Sequence, residues 1–129
     1  MNEAGSKEAR ASVAEVLKKG WSLHTVDIAL AEGLNAIWKH ANVLKDLKAE
    51  EAIPATEDLT KIFDGLNIVS AREVAEETAH IALTHGITVY DSLYIATALK
   101  LNGTLYTADR QLCTTAKKIT NARLLKTKE

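Results

Sequence analysis

Two carboxylates in this sequence stand where chain geometry could bring them together. Asp91 lies in Val89-Tyr90-Asp91-Ser92-Leu93-Tyr94-Ile95-Ala96, and Asp109 ends Leu105-Tyr106-Thr107-Ala108-Asp109 eighteen residues later. The first segment reads as the start of a helix and the second as a short strand with an acid just past its end. Only a helix and a turn separate them, so both acids can return to the same end of a sheet. Carboxylates converging there suggest a Mg²⁺ or Mn²⁺ site, because these hard cations prefer oxygen ligands. Each acid also has a purely structural reading. Thr88-x-x-Asp91 has capping-box spacing, and the helix dipole favours an acid in a first turn. An Asp between strand and helix is a good N-cap, which covers Asp109.

A third acid, Glu32, lies off the apolar face formed by Leu30, Leu34, Ile37 and Ala41. It shares a helix face with Asn35 and Lys39, a pattern that most often marks a solvated surface. The four histidines, His24, His40, His80 and His85, have no metal-cluster spacing. His80 and His85 are five apart, one residue more than a helical ligand pair needs. Ser92 lacks the glycine-flanked elbow of a serine hydrolase, and no glycine loop could cradle a phosphate. Lys117, Lys118, Arg123, Lys126 and Lys128 make the C-terminal end basic, which is either a solvated surface or a phosphate-binding face.

The elements that position these residues follow from periodicity. Ser6 reads as the N-cap of a helix with an Ala9, Val13, Val16, Leu17 stripe ending at Gly20. Trp21–Thr25 alternates like a strand. Thr25 or Asp27 opens a helix with Leu30, Leu34, Ile37, Trp38 and Ala41 on one face. A more polar helix from Lys45 is predicted to break at Pro54, resume at Glu57 and stop at Gly65. Leu66–Val69 reads as a strand, and Ser70 with Glu73 as a capping box opening a helix to His85-Gly86. Thr88 caps the next helix, which runs to Leu101. Asn102-Gly103 turns the chain into strand Thr104–Thr107, a helix covers Arg110–Lys118, and a strand lies around Ala122–Leu125. Strands alternating with helices imply a parallel sheet covered on both faces, with ligands beyond the carboxyl ends of its strands.

Size and composition bound the reading. The sequence has 129 residues, enough for a single domain over 1–129 with one core. Sixteen basic residues against seventeen acidic ones give a net charge of −1, which excludes a globally basic nucleic-acid binder but not a local basic face. The lone Cys113 cannot form an intrachain disulfide and reads as a small buried residue. No apolar run approaches the roughly 20 residues that span a bilayer, and the start lacks a signal pattern, so the expected location is cytoplasmic with no membrane partner.

Three segments in order resemble the PIN domain family, and within it the VapC-type toxins of toxin–antitoxin pairs. Asp27 to Lys39 resembles the family's Glu-bearing helix, Gly86 to Ala96 its Asp-bearing helix, and Thr107-Ala108-Asp109-Arg110-Gln111-Leu112 its strand-end acidic motif. The resemblance implies an α/β fold, a three-layer α/β/α arrangement on a parallel sheet, and a metal-dependent endoribonuclease. It assigns Glu32, Asp91 and Asp109 to Mg²⁺ or Mn²⁺ binding and catalysis, with Thr107 and Asn35 in support. It further implies an RNA substrate, a homodimer, and an antitoxin whose peptide occupies the acidic groove.

The family opens with a hydrophobic strand ending in an acidic metal ligand. This sequence opens with Met1-Asn2-Glu3-Ala4-Gly5-Ser6, which resembles the segment that follows that strand and its helix. The expectation is therefore a fold whose first central strand is absent from this chain, an acidic site short of its first Asp, and a Met1 that is a misassigned start or a truncation. Two other readings compete with an active nuclease. One is a non-catalytic PIN remnant that binds an antitoxin or a second copy. The other is a flavodoxin-like or receiver-like domain using strand-end acids for a regulatory ion, which the motif order disfavours.

Overall fold

The computed structural model describes residues 21–125. The helix expected over Ser6–Gly20, Asn2, Glu3, Lys126 and Lys128 lie outside the described residues. The described chain is α/β, with short parallel strands and five α-helices, and it divides at Ala71 into two compact units.

The unit from Leu23 to Ser70 contains β1 (His24–Val26), α1 (Ile28–Asn42), α2 (Ala49–Asp64) and β2 (Asn67–Val69). β1 and β2 pair in parallel with Thr25 opposite Ile68, and Asp27 N–H extends the ladder to the Val69 carbonyl at 2.9 Å. The strand expected over Trp21–Thr25 is thus shifted to His24–Val26, where Val26 is buried and has a hydrogen-bonded neighbour. Asp27 occupies the N-cap position of α1, one of the two starts the sequence allowed. α1 packs on α2. A Cβ at Gly33 would stand 2.7 Å from Leu59 Cδ2, so the glycine lets the two helices approach.

Two expectations for this unit are corrected. Pro54 does not interrupt a helix, because α2 runs unbroken from Ala49 to Asp64. The proline sits in the second turn, where its missing N–H deprives only Glu50, an exposed first-turn residue whose carbonyl can turn to water. The helix start is fixed by Lys48 N–H donating to Glu51 Oε1 at 3.1 Å. The stripe Leu30, Leu34, Ile37, Trp38, Ala41 is also only partly inside: Ile37 is buried, whereas Trp38 is 54% exposed and Leu34 39%.

Between α1 and α2 the chain turns at Lys45 (φ 55°), and His40 Nδ1 meets both carboxylate oxygens of Asp46 at 2.8 and 3.0 Å. The hydrogen bond from His40 holds the Asp46 carboxyl below its ordinary value, with the charge of His40 adding to it. A carboxyl depressed in the folded state stabilises it above the unfolded pKa, and that contribution disappears as pH falls through the folded pKa. His40→Ala should therefore return Asp46 to an ordinary aspartate titration, measured by carboxyl NMR shifts. It should also flatten the loss of stability on the acid side of that range.

The unit from Ala71 onward holds a 3₁₀ turn (Ala71–Val74), α3 (Ala75–His85), α4 (Val89–Lys100), β3 (Thr104–Thr107), α5 (Arg110–Ala116) and β4 (Asn121–Leu124). The helix expected to open at Ser70 instead begins with the 3₁₀ turn and becomes α-helical at Ala75, a common tightening at helix starts. Its end at Gly86 matches expectation, with φ 64° and an N–H bond to the Ala82 carbonyl at 2.9 Å. β3 matches the expected Thr104–Thr107 strand and pairs in parallel with β4, Leu105 opposite Ala122. α5 ends two residues before the expected Lys118, and β4 runs one residue earlier than expected.

α4 is the centre of this unit. Ser92, Leu93, Ile95, Ala96, Thr97 and Ala98 are buried along it, and it packs on α3, where Ile81 and Ala82 are buried. Leu112, Cys113 and Ala116 are buried on α5. Thr78 on α3 is 2% exposed and its Oγ1 has no hydrogen-bond partner. A buried unpaired hydroxyl costs about 1–3 kcal/mol, so Thr78→Val, which keeps the β-branch, should raise stability by about 1 kcal/mol in denaturant unfolding. The strands are hydrogen-bonded as two parallel pairs, β1 with β2 and β3 with β4.

Candidate active site

A cleft of about 260 Å³ opens between the start of α4 and the first two turns of α5. Gly86, Ile87, Thr88 and Asp91 form one side, and Gln111, Leu112 and Thr115 the other. The left-handed Gly86 ends α3 abruptly, a conformation that L side chains resist. Two residues later Thr88 caps α4, its Oγ1 accepting the Asp91 N–H at 3.1 Å. That bond fixes Asp91 in the first turn, half-buried, with its side chain facing the cleft. Ser92 beside it is fully buried and donates through Oγ to the Thr88 carbonyl at 2.8 Å. It braces the same turn.

Asp109 is the N-cap of α5. Its Oδ1 accepts from Gln111 N–H at 2.9 Å and Leu112 N–H at 3.1 Å, while its own N–H donates to Thr107 Oγ1 at 3.1 Å. Both amide bonds fall on one carboxylate oxygen, so Oδ2 takes part in neither. Thr107 serves by accepting from the Asp109 backbone, which fixes the strand-to-helix corner.

The structure thus gathers Asp91 and the α5 turn that Asp109 caps on one cleft, within a single unit. Glu32 and Asn35 belong to the other unit, where both are exposed on α1. Among the described residues, no group of three or more His, Cys, Asp or Glu side chains is arranged to hold a metal ion. The donors that the cleft does offer, the Asp91 carboxylate, the Thr88 and Thr115 hydroxyls and the Gln111 amide oxygen, are oxygens, the ligand type that Mg²⁺ and Mn²⁺ take. In kind, though not in number, the residues present fit such an ion.

Sequence reasoning missed Gln111 and Thr115 as cleft residues. The available signal was their four-residue spacing on a short helix directly after Asp109, which puts both on one face. Leu112 could be foreseen only as core, and it is buried at the cleft floor.

The PIN domain family model matches residues 3–118. The chain is 42% identical over 106 residues to Ribonuclease VapC3 of Pyrobaculum aerophilum, covering 81% of this chain and 80% of the relative. The crystal structure of PAE2754 from Pyrobaculum aerophilum superposes with a TM-score of 0.69 over 94% of this chain and 85% of that one. At 21% identity that likeness bears on the fold alone. On the family model and the sequence relative together, the chain belongs to the PIN domain family.

Proposed function

We propose that this protein is a metal-dependent endoribonuclease of the VapC type, cleaving RNA at the Asp91 cleft. The observation that carries the reading is the placement of a half-buried acid, anchored by the Thr88 cap, across the cleft from the helix that Asp109 caps. The 42% identity to a ribonuclease supports it. Asp91, Asp109 and Glu32 are the residues that would hold Mg²⁺ or Mn²⁺, with Thr107 and Asn35 in supporting positions. When bound, the ion would activate a water for attack on a phosphodiester and neutralise the leaving oxygen.

The chain's own residues supply the rest. The Thr88 cap and buried Ser92 hold the Asp91 backbone still, so its carboxylate needs little reorganisation to meet a charged ligand. The two amides on Asp109 Oδ1 hold that carboxylate at the start of α5, with Oδ2 outside both bonds. Gly86 keeps the cleft rim free of a side chain.

The partners we infer are RNA, an antitoxin and a second copy of the chain, in the cytoplasm. Support for a protein partner comes from large apolar side chains left outside on the Leu23–Ser70 unit: Trp38 at 54%, Ile53 at 66% and Ile62 at 64% exposure. No helix among the described residues is long and apolar enough to cross a membrane. A non-catalytic binding module is the second reading, favoured by the absence of a three-acid group among the described residues.

The test is cleavage of labelled single-stranded RNA by the full chain with Mg²⁺ or Mn²⁺, and with EDTA. Cleavage that requires the ion is expected. Cleavage that persists in EDTA would refute the metal-dependent site. An intact protein that binds RNA or antitoxin but never cleaves would establish the binding module.

A further inference from the structure

The cleft has an uneven distribution of charge. Among the described residues that line it, Asp91 is the sole charged side chain. A polyanionic strand entering the cleft is favoured by a cation held nearby on the protein. The opposite wall, on α5, carries Gln111 and Thr115 four residues apart. Lys118 follows Thr115 by three residues in the turn after α5, and its N–H donates to the Thr115 carbonyl at 3.1 Å, which holds it beside the end of that wall. Lys118 is exposed, as is Gln111.

These three side chains differ in what they can recognise. Gln111 carries two N–H donors and a carbonyl acceptor, enough to pair with the edge of a base. The Thr115 hydroxyl can both donate and accept, which suits a ribose 2′-OH. Lys118 offers a point charge for a phosphate. Ile87 and buried Leu112 give the cleft an apolar surface between them. At about 260 Å³ the cleft can take a group the size of one base.

Building on the nuclease reading, we propose that Gln111, Thr115 and Lys118 form the track that positions single-stranded RNA at Asp91. Gln111 and Thr115 contact the nucleotide in the cleft, and Lys118 binds the phosphate next along the strand. Gln111 is then a specificity residue and Lys118 an affinity residue.

The experiment is fluorescence anisotropy of labelled single-stranded RNA with the full chain in EDTA, across a salt series, so that binding is read without cleavage. Lys118→Gln should weaken binding and reduce the slope of log K against log salt by about 0.7, the value for one single-strand phosphate contact. Lys118→Arg should restore both. Gln111→Ala should leave the slope unchanged and alter the ranking among the four homopolymers. Lys100→Gln is the control: it removes a charge nine residues beyond Asp91 on α4, about 13 Å along the axis, and should change neither slope nor ranking.

If Lys118→Gln keeps the wild-type slope, or shifts it no more than Lys100→Gln does, the track is overturned. An unaltered homopolymer ranking in Gln111→Ala removes its base contact. A slope change in Lys118→Gln with a wild type that never cleaves overturns the nuclease alone, whereas normal metal-dependent cleavage with a slope that Lys118→Gln leaves unaltered overturns the track alone. An RNA slope that Lys118→Gln leaves unchanged, together with a loss of binding to an acidic peptide, would assign Lys118 to a protein partner instead.

Discussion

Asp91→Asn is expected to lower RNA cleavage by about 10²–10³-fold, the loss typical when one preorganised electrostatic group is removed from an active site. The substitution is suited to the question because it keeps the backbone bond that fixes this position in the first turn. It is the Asp91 N–H that donates to Thr88 Oγ1, and asparagine retains that N–H. The side chain keeps its size and an oxygen acceptor and loses only its charge. A first-turn acid interacts with the helix dipole by about 0.3–1 kcal/mol, so the melting temperature should fall by a few degrees at most. RNA binding measured in EDTA should persist, and could strengthen as the repulsion between carboxylate and phosphate is removed. Cleavage at wild-type rate in Asp91→Asn would remove this cleft from the chemistry, since no other charged residue among the described ones lines it.

The same residue shows how far a sequence reading can go. Thr88, Asp91, Gly86 and the corner at Thr107–Asp109 were legible because their interactions span two to four residues. A cap, a left-handed glycine and a strand-end turn are local chemistry. The errors fall where local chemistry competes with something further away. Pro54 predicts a break by its own geometry, yet the helix continues because the deprived carbonyl lies in an exposed first turn. Ser70 and Glu73 have capping-box spacing, but the chain spends Ala71–Val74 in a 3₁₀ turn, with Val74 buried, before α3 begins. Trp38 and Leu34 obey the apolar period of α1 and still face outward, because periodicity names a face without naming what covers it. Gln111 and Thr115 were invisible as site residues for a related reason. Their role depends on α5 meeting the start of α4, a contact between segments some twenty residues apart. Glu32 marks the limit in the other direction. Its helix was foreseen and is present, but its part in the chemistry rests on the family resemblance.

Asp109 poses a sharper problem, because its structural and chemical readings use the same side chain, and two substitutions separate them. Asparagine is as good an N-cap as aspartate, so Asp109→Asn should keep the bonds to Gln111 and Leu112 N–H and leave stability within a few tenths of a kcal/mol. Its charge is gone, and with it the ability of Oδ2 to meet a cation as a carboxylate oxygen. Cleavage should therefore fall by about 10²-fold or more if Asp109 belongs to the electrostatic machinery. Asp109→Ala removes the cap as well, which should cost about 0.5–2 kcal/mol in stability and loosen the seven-residue helix that carries Gln111 and Thr115. The expected order in activity is wild type far above Asn, with Ala at or below Asn. In stability the expected order is wild type equal to Asn, and both above Ala. The decisive alternative is an Asn variant that cleaves like wild type while Ala is impaired. That outcome would make Asp109 a cap that shapes the α5 wall and would leave Asp91 as the acid of the cleft. Because Asn preserves each hydrogen bond that the aspartate makes to α5, a loss of activity in that variant must come from the missing charge.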